Sequence, residues 1–150
     1  MKIDYPKILK DNMLNVLRDV LINIEKNGLR EGHHLFITFI TNNKKVIMPS
    51  WLKDKFPNEM TIVIQYEYWN FKVFKNYFEI TLSFNNIKSN LIIPFKFVIS
   101  FADPYANFGL QLFKNNKNYE LVSEYQEKSN NKKIKSKQNN IIEFNKFKKN

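Results

Sequence analysis

The chain contains no cysteine, which excludes a disulfide framework, a thiol nucleophile and a thiolate metal site. Its only glycines are Gly28, Gly32 and Gly109, too few and too scattered for a phosphate-binding glycine loop. Arginine is almost absent, with Arg18 and Arg30 alone. Specific nucleic-acid contacts favour the bidentate guanidinium fork, so a sequence-specific nucleic-acid binder is not expected. No stretch approaches the roughly 18 consecutive apolar residues of a membrane span. The opening Met1-Lys2-Ile3-Asp4-Tyr5-Pro6 lacks the basic-then-apolar pattern of a secretion signal, and a cytoplasmic protein is the expectation.

What is abundant is lysine, asparagine, isoleucine and phenylalanine. The formal net charge of +10 comes from lysine, and it is unevenly placed. Residues 1–113 hold 14 basic and 10 acidic groups, net +4, whereas residues 114–150 hold 10 and 4, net +6. Lys, Asn, Ile and Phe share codons rich in A and T, so the basic balance does not by itself imply a nucleic-acid partner. Of the 14 Phe, 7 Tyr and 2 Trp, the body, residues 1–113, holds 12, 5 and 2, enough to fill a single core. Beyond it, 22 of the 27 residues in 114–140 are Lys, Asn, Glu, Ser or Gln, and this segment is expected to be a disordered linker. Residues 141–150 then turn apolar and basic again, with Ile141, Ile142, Phe144 and Phe147 among Lys146, Lys148 and Lys149. A body, a solvated tether and a compact terminal peptide form the layout of an adaptor, in which the tether sets an effective concentration.

Apolar residues Leu9, Met13, Val16, Leu17, Val20, Leu21 and Ile24 recur at three- and four-residue steps and predict a helix over 5–27. Asp4 caps its start, Pro6 suits its first turn, and Asn27-Gly28 supplies a left-handed stop. The stripe packs on the chain's own sheet or also serves a helix-to-helix dimer contact, because Ile8, Leu14 and Ile22 broaden it. From Leu35 the period becomes two. Strands are predicted at 35–40, 60–68, 77–84, 91–93 and 108–112, with 46–48 as a partner of the first. A short helix bounded by prolines is expected near 50–56, a linker over 69–74, and a second short helix after Pro94. Asn takes the place of Gly at the turns, since it tolerates positive φ. The fold class is mainly β with an N-terminal α-helix, a small antiparallel barrel or sandwich.

Catalytic arrangements are not evident. His33 and His34, if on a strand, point to opposite faces and cannot share a metal. Glu67 and Glu79 face one another if their strands are neighbours, but no cleft or sugar platform accompanies them. No enzyme, metal or cofactor is expected. Gln65 and Glu67 alternate onto one side of the 60–68 strand, with Glu79 and Thr81 on the same face of the next. That polar face is a candidate peptide site.

A set of motifs occurs in one order. Gly32-His33-His34-Leu35-Phe36-Ile37-Thr38-Phe39 is followed by Phe56-Pro57-Asn58-Glu59-Met60-Thr61-Ile62-Val63-Ile64-Gln65-Tyr66-Glu67-Tyr68-Trp69, then Ile93-Pro94-Phe95, Phe101-Ala102-Asp103-Pro104 and Phe108-Gly109-Leu110-Gln111-Leu112. Together they resemble the alpha-proteobacterial branch of stringent starvation protein B, SspB, the ClpXP protease adaptor, and the end of the tail resembles that branch's terminus. The resemblance implies a homodimer of Sm-like β domains that binds ssrA-tagged polypeptides. It implies a groove walled by the 101–111 segment, with Phe101, Phe108, Gly109, Leu110 and Gln111 at the peptide. It further implies docking on the ClpX N-terminal domain through Ile141, Ile142, Phe144, Phe147, Lys148 and Lys149. Two alternatives stay open: an RNA-binding Sm-like module with a basic tail, and a structural protein with an inert tail.

Overall fold

The computed structural model describes residues 2–112. The tether 114–140 and the terminal peptide 141–150 lie outside the described residues. Helix α1, Tyr5–Asn27, opens with the Asp4 carboxylate accepting from the Lys7 amide at 3.1 Å and closes on Gly28 at φ 77°. The strands are β1 Leu35–Ile40, β2 Glu59–Ile64, β3 Trp69–Val73, β4 Tyr77–Phe84, β5 Ile87–Pro94, β6 Val98–Asp103 and β7 Phe108–Gln111, with the short helix α2, Ser50–Lys55, between β1 and β2. They form two antiparallel sheets, ordered β2-β1-β6-β7 and β3-β4-β5. The described ladders do not close into a barrel.

One core fills the space between the layers. Met13, Leu17, Leu21 and Ile24 of α1 are buried with Leu35, Ile37 and Phe39 of β1, Met60, Ile62 and Ile64 of β2, and Phe78, Ile80, Leu91 and Ile93 of the second sheet. The helix lies nearest β3 and the 3-10 turn Phe95–Phe97. It is pinned there by Arg18 Nε donating to the Lys75 carbonyl at 3.0 Å and by the Val73 amide donating to Glu25 Oε1 at 3.3 Å. Among the described residues the four non-glycine residues at positive φ are Asn70, Asn85, Asn86 and Asn107, so asparagine does supply the left-handed corners there.

Five sequence expectations are corrected. Residues 46–48 do not pair with β1. Ile47 instead exchanges backbone hydrogen bonds with Ile92 of β5 at 3.0 and 2.9 Å, a single bridge. The strand expected over 60–68 ends at Ile64, because the chain bends at Gln65 and Tyr66 to leave one sheet for the other. The linker expected over 69–74 is β3, an edge strand with an irregular register whose alternation of half-buried Trp69, Phe71 and Val73 is weak. The strand expected at 91–93 starts at Ile87, because Asn85 and Asn86 at φ 54° and 65° close a tight hairpin. After Pro94 only one 3-10 turn forms, and Val98 and Ile99 return to the extended backbone that β-branched residues favour, becoming β6 beside β1.

Candidate functional site

One end of the four-stranded sheet gathers residues from four parts of the chain. Leu35 opposes Ile64, Phe36 opposes Ala102, and Asp103 opposes Phe108. That register brings the 29–34 loop, the 65–68 loop, the 3-10 turn Pro104–Ala106 and the start of β7 to the same end. Three large aromatics stand out to solvent there: Tyr66 is 75% exposed, Tyr105 65% and Phe108 43%. Exposed aromatic clusters of this kind suit a partner with apolar side chains. Phe108 opens β7, an edge strand with one neighbour among the described strands, whereas Tyr66 follows β2 at the opposite edge of the sheet.

The scaffold under these aromatics is polar and specific. His33 Nδ1 lies 3.3 Å from Asp103 Oδ2, and the His33 ring meets Tyr105 at 4.2 Å between centroids. Asp103 Oδ1 also accepts from the Ala106 amide at 3.3 Å, capping the turn that carries Tyr105. Gly32 passes so close that a Cβ would sit 3.4 Å from the Tyr105 ring, and its φ of 86° disfavours any side chain. His34 faces Tyr66 edge-on at 6.3 Å. The two histidines therefore precede β1 rather than sitting on a strand, and each orients one tyrosine. Among the described residues no group of three or more His, Asp and Glu could hold a metal ion.

The expected peptide residues do not share one polar face. Gln65 is half-buried and Glu67 exposed, both in the loop after β2 and not on a strand. Glu79 does not oppose Glu67; its register partners are Lys72 and Ile92. Glu79 and Thr81 lie on the outer face of the other sheet within a relay of hydrogen bonds. Asn70 Nδ2 donates to Thr81 Oγ1 at 3.4 Å, Thr81 Oγ1 donates to Asn90 Oδ1 at 2.7 Å, and Asn90 Nδ2 donates to Glu79 Oε2 at 3.0 Å. Lys88 Nζ covers the Trp69 ring at 4.1 Å beside them. This relay stitches three strands together, so a structural task already occupies Glu79 and Thr81. Phe101 is buried and supports Phe108 from beneath at 6.0 Å, whereas Gly109, Leu110 and Gln111 are half-buried along β7. Sequence reasoning missed Tyr66, Tyr105 and the His33–Asp103 pair. The adjacent His33-His34 and the Asp103-Pro104 turn were visible signals, but only the strand register unites them.

On α1 the stripe divides. Met13, Leu17, Leu21 and Ile24 are consumed by the chain's own core, Leu9 and Val20 are half-buried, and Ile8 and Val16 face solvent. Below the helix, about 660 Å³ of open groove separates it from the turn before β4 and the end of β5. No described helix is long and apolar enough to cross a membrane.

A family model described as SspB, stringent starvation protein B, matches residues 7–146, all but the first six and last four positions. No curated protein matches the chain.

Proposed function

The chain belongs to the stringent starvation protein B family, a family of ClpXP protease adaptors rather than enzymes, and from that premise we propose that it is a cytoplasmic adaptor for ssrA-tagged proteins. Its body binds the tag and its C-terminal peptide docks on the ClpX N-terminal domain. The observation that carries this reading is the extent of the family match, which runs past the body through the tether and into Ile141, Ile142 and Phe144. An adaptor needs no chemistry of its own. It turns two weak contacts into one strong one by linking them.

The tag lies along the aromatic end of the four-stranded sheet. An extended peptide beside β7 would gain main-chain hydrogen bonds as an added strand, with alternate side chains in flanking pockets. Gly109 gives its backbone close approach, Phe108 and Leu110 supply apolar contact, and Gln111 flanks them. Gln65 both donates and accepts, while Glu67 accepts only. Replacing Gln65 and Phe108 together by alanine should weaken an ssrA-type peptide by about tenfold or more, about 1.4 kcal/mol. The melting temperature should barely move, since Phe108 is exposed and Gln65 half-buried. Fluorescence anisotropy with a labelled peptide reads the effect, and an unaltered Kd overturns this placement.

Two bodies pair through α1, by the surface that the core leaves uncovered: Ile8 and Val16, flanked by Leu9 and Val20. Val16 is 38% exposed, so Val16→Asp is tolerated in the monomer fold but not in an apolar interface. Sedimentation at micromolar concentration should give a dimer for the natural chain and a folded monomer for Val16→Asp. A natural chain that sediments as a monomer rules the pairing out.

A further inference from the structure

We propose that the groove beneath α1 is the seat of this chain's own segment 119–127. The inference concerns the tail between the two contacts proposed above and does not depend on which partner the terminal peptide takes.

The groove is strongly basic and partly apolar. Arg18, Lys45, Lys75 and Lys96 line it together with the apolar Leu14 and Phe95. Asp11 is the only carboxylate among its lining residues. The Arg18 guanidinium is fixed in place: Nε donates to the Lys75 carbonyl at 3.0 Å, a terminal nitrogen donates to Asn15 Oδ1 at 2.7 Å, and the group stands 5.6 Å over the Phe95 ring. Nearby, burial lowers the pKa of Lys10, an effect that Asp11 opposes and Lys96 reinforces. Crowded cations among apolar side chains fit a ligand that is both acidic and aromatic or aliphatic.

Such a segment exists in the tail, and its composition differs from everything around it. Residues 113–150 contain ten Lys and four Glu. Three of those Glu, Glu120, Glu124 and Glu127, fall within Tyr119-Glu120-Leu121-Val122-Ser123-Glu124-Tyr125-Gln126-Glu127, which has no lysine. This stretch is net −3 in a tail whose remainder is net +9, and it carries Tyr119, Leu121, Val122 and Tyr125. The chain also leaves the body at the right place. The Leu112 amide donates to the Ile99 carbonyl at 2.6 Å, and Ile99 follows the 3-10 turn Phe95–Phe97 that forms one wall of the groove. Six residues lie between Leu112 and Tyr119, seven steps of the chain and a reach of about 23–25 Å when extended. Lys96 lies three residues from Ile99, within about 11 Å.

Anchoring at 119–127 would leave 128–140 as the free tether. By the square-root law its root-mean-square span falls from about 30 Å for 27 residues to about 20 Å for 13, holding the terminal peptide closer to the body. Salt would release the anchor by screening it, lengthening the tether again.

The absence of cysteine makes the test direct. A nitroxide is placed on Ser123→Cys in the full-length, 15N-labelled chain. Amides of Arg18, Lys75, Asn76 and Lys96 should lose intensity. The loss should vanish in the Glu120→Lys, Glu124→Lys, Glu127→Lys triple variant and in high salt, and return when Lys75→Glu and Lys96→Glu are added to that variant. Unbleached groove amides overturn the proposal. So does bleaching of equal strength when spin-labelled 14N chain is mixed with unlabelled-thiol 15N chain, since the occupant is then a second copy's tail. Truncation after Leu112 gives an independent readout: groove amide shifts should move, and unchanged shifts also overturn the docking.

Discussion

Deleting residues 141–150 should abolish this chain's stimulation of tagged-substrate degradation while leaving its affinity for the tag unchanged. On the proposed reading the body would retain every tag contact, so the loss would fall wholly on delivery. Linked binding exceeds either single affinity by about 10²–10⁴-fold, and all of that gain disappears with the second contact. The effect is therefore greatest at limiting substrate, where the protease depends on the raised local concentration, and fades once substrate saturates it. The alternation of Ile142 and Phe144 would suit an added strand, and Lys146, Lys148 and Lys149 would add steering that weakens with salt. The measurement is the degradation rate of a tagged reporter by ClpXP across substrate concentrations, with peptide anisotropy run on the same protein. Full acceleration by the truncated chain would show that the terminal peptide is not the docking element.

Phe78→Ala should cost about 3–5 kcal/mol of folding stability, the range for emptying an aromatic site in a core. Phe78 is fully buried on the middle strand of the three-stranded sheet, with Phe71 edge-on at 6.4 Å and Phe95 at 5.8 Å. Those neighbours sit on an edge strand and a 3-10 turn, and the rings themselves are rigid, so the void cannot close by a small shift. A domain of this size has about 5–15 kcal/mol in all, so the variant approaches the unfolding threshold. Because Phe95 also lines the basic groove, the loss would loosen that wall. Urea unfolding followed by fluorescence provides the number, and a cost below about 1 kcal/mol would mean the core is far more plastic than its packing indicates.

The parts of this fold that the chain announces are those with a strong local period. Helix α1 was legible from its stripe, the Asp4 cap and the Asn27-Gly28 stop; β1 was legible as a short, mostly apolar run after Gly32, and β4 from the alternation of Phe78, Ile80 and Leu82 with Glu79, Thr81 and Ser83. The errors share one cause. Period two continues unbroken from Met60 through Tyr68, yet the chain bends at Gln65 and Tyr66 because the two halves belong to different sheets, a fact of tertiary pairing. Alternation assigns Tyr66 an inward place, yet its ring stands in solvent. Likewise β6 reads as a helix start after Pro94, but its pairing with β1 is a partnership across some sixty positions that no local pattern encodes. For the candidate site, Phe108 and Gln65 were legible as residues, but that both lie at one end of the sheet, on opposite edges, follows only from the register of β2, β1, β6 and β7.

The asparagine corners set a limit on mutational tolerance that burial alone would not predict. Asn70, Asn85, Asn86 and Asn107 are all exposed, and surface positions usually accept most of the amino-acid alphabet within about 0.5 kcal/mol. At Asn85, Asn86 and Asn107 the backbone makes the choice, and at Asn70 it does so together with the hydrogen bond to Thr81. A β-branched residue at one of these φ values would carry roughly 1–2 kcal/mol of its own steric strain. Glycine avoids that strain but leaves the unfolded chain with more freedom to lose. A genome that drifts toward asparagine and away from glycine thus reaches these corners by one of the few substitutions they admit. The price of that route is four outward-facing positions with little freedom to vary.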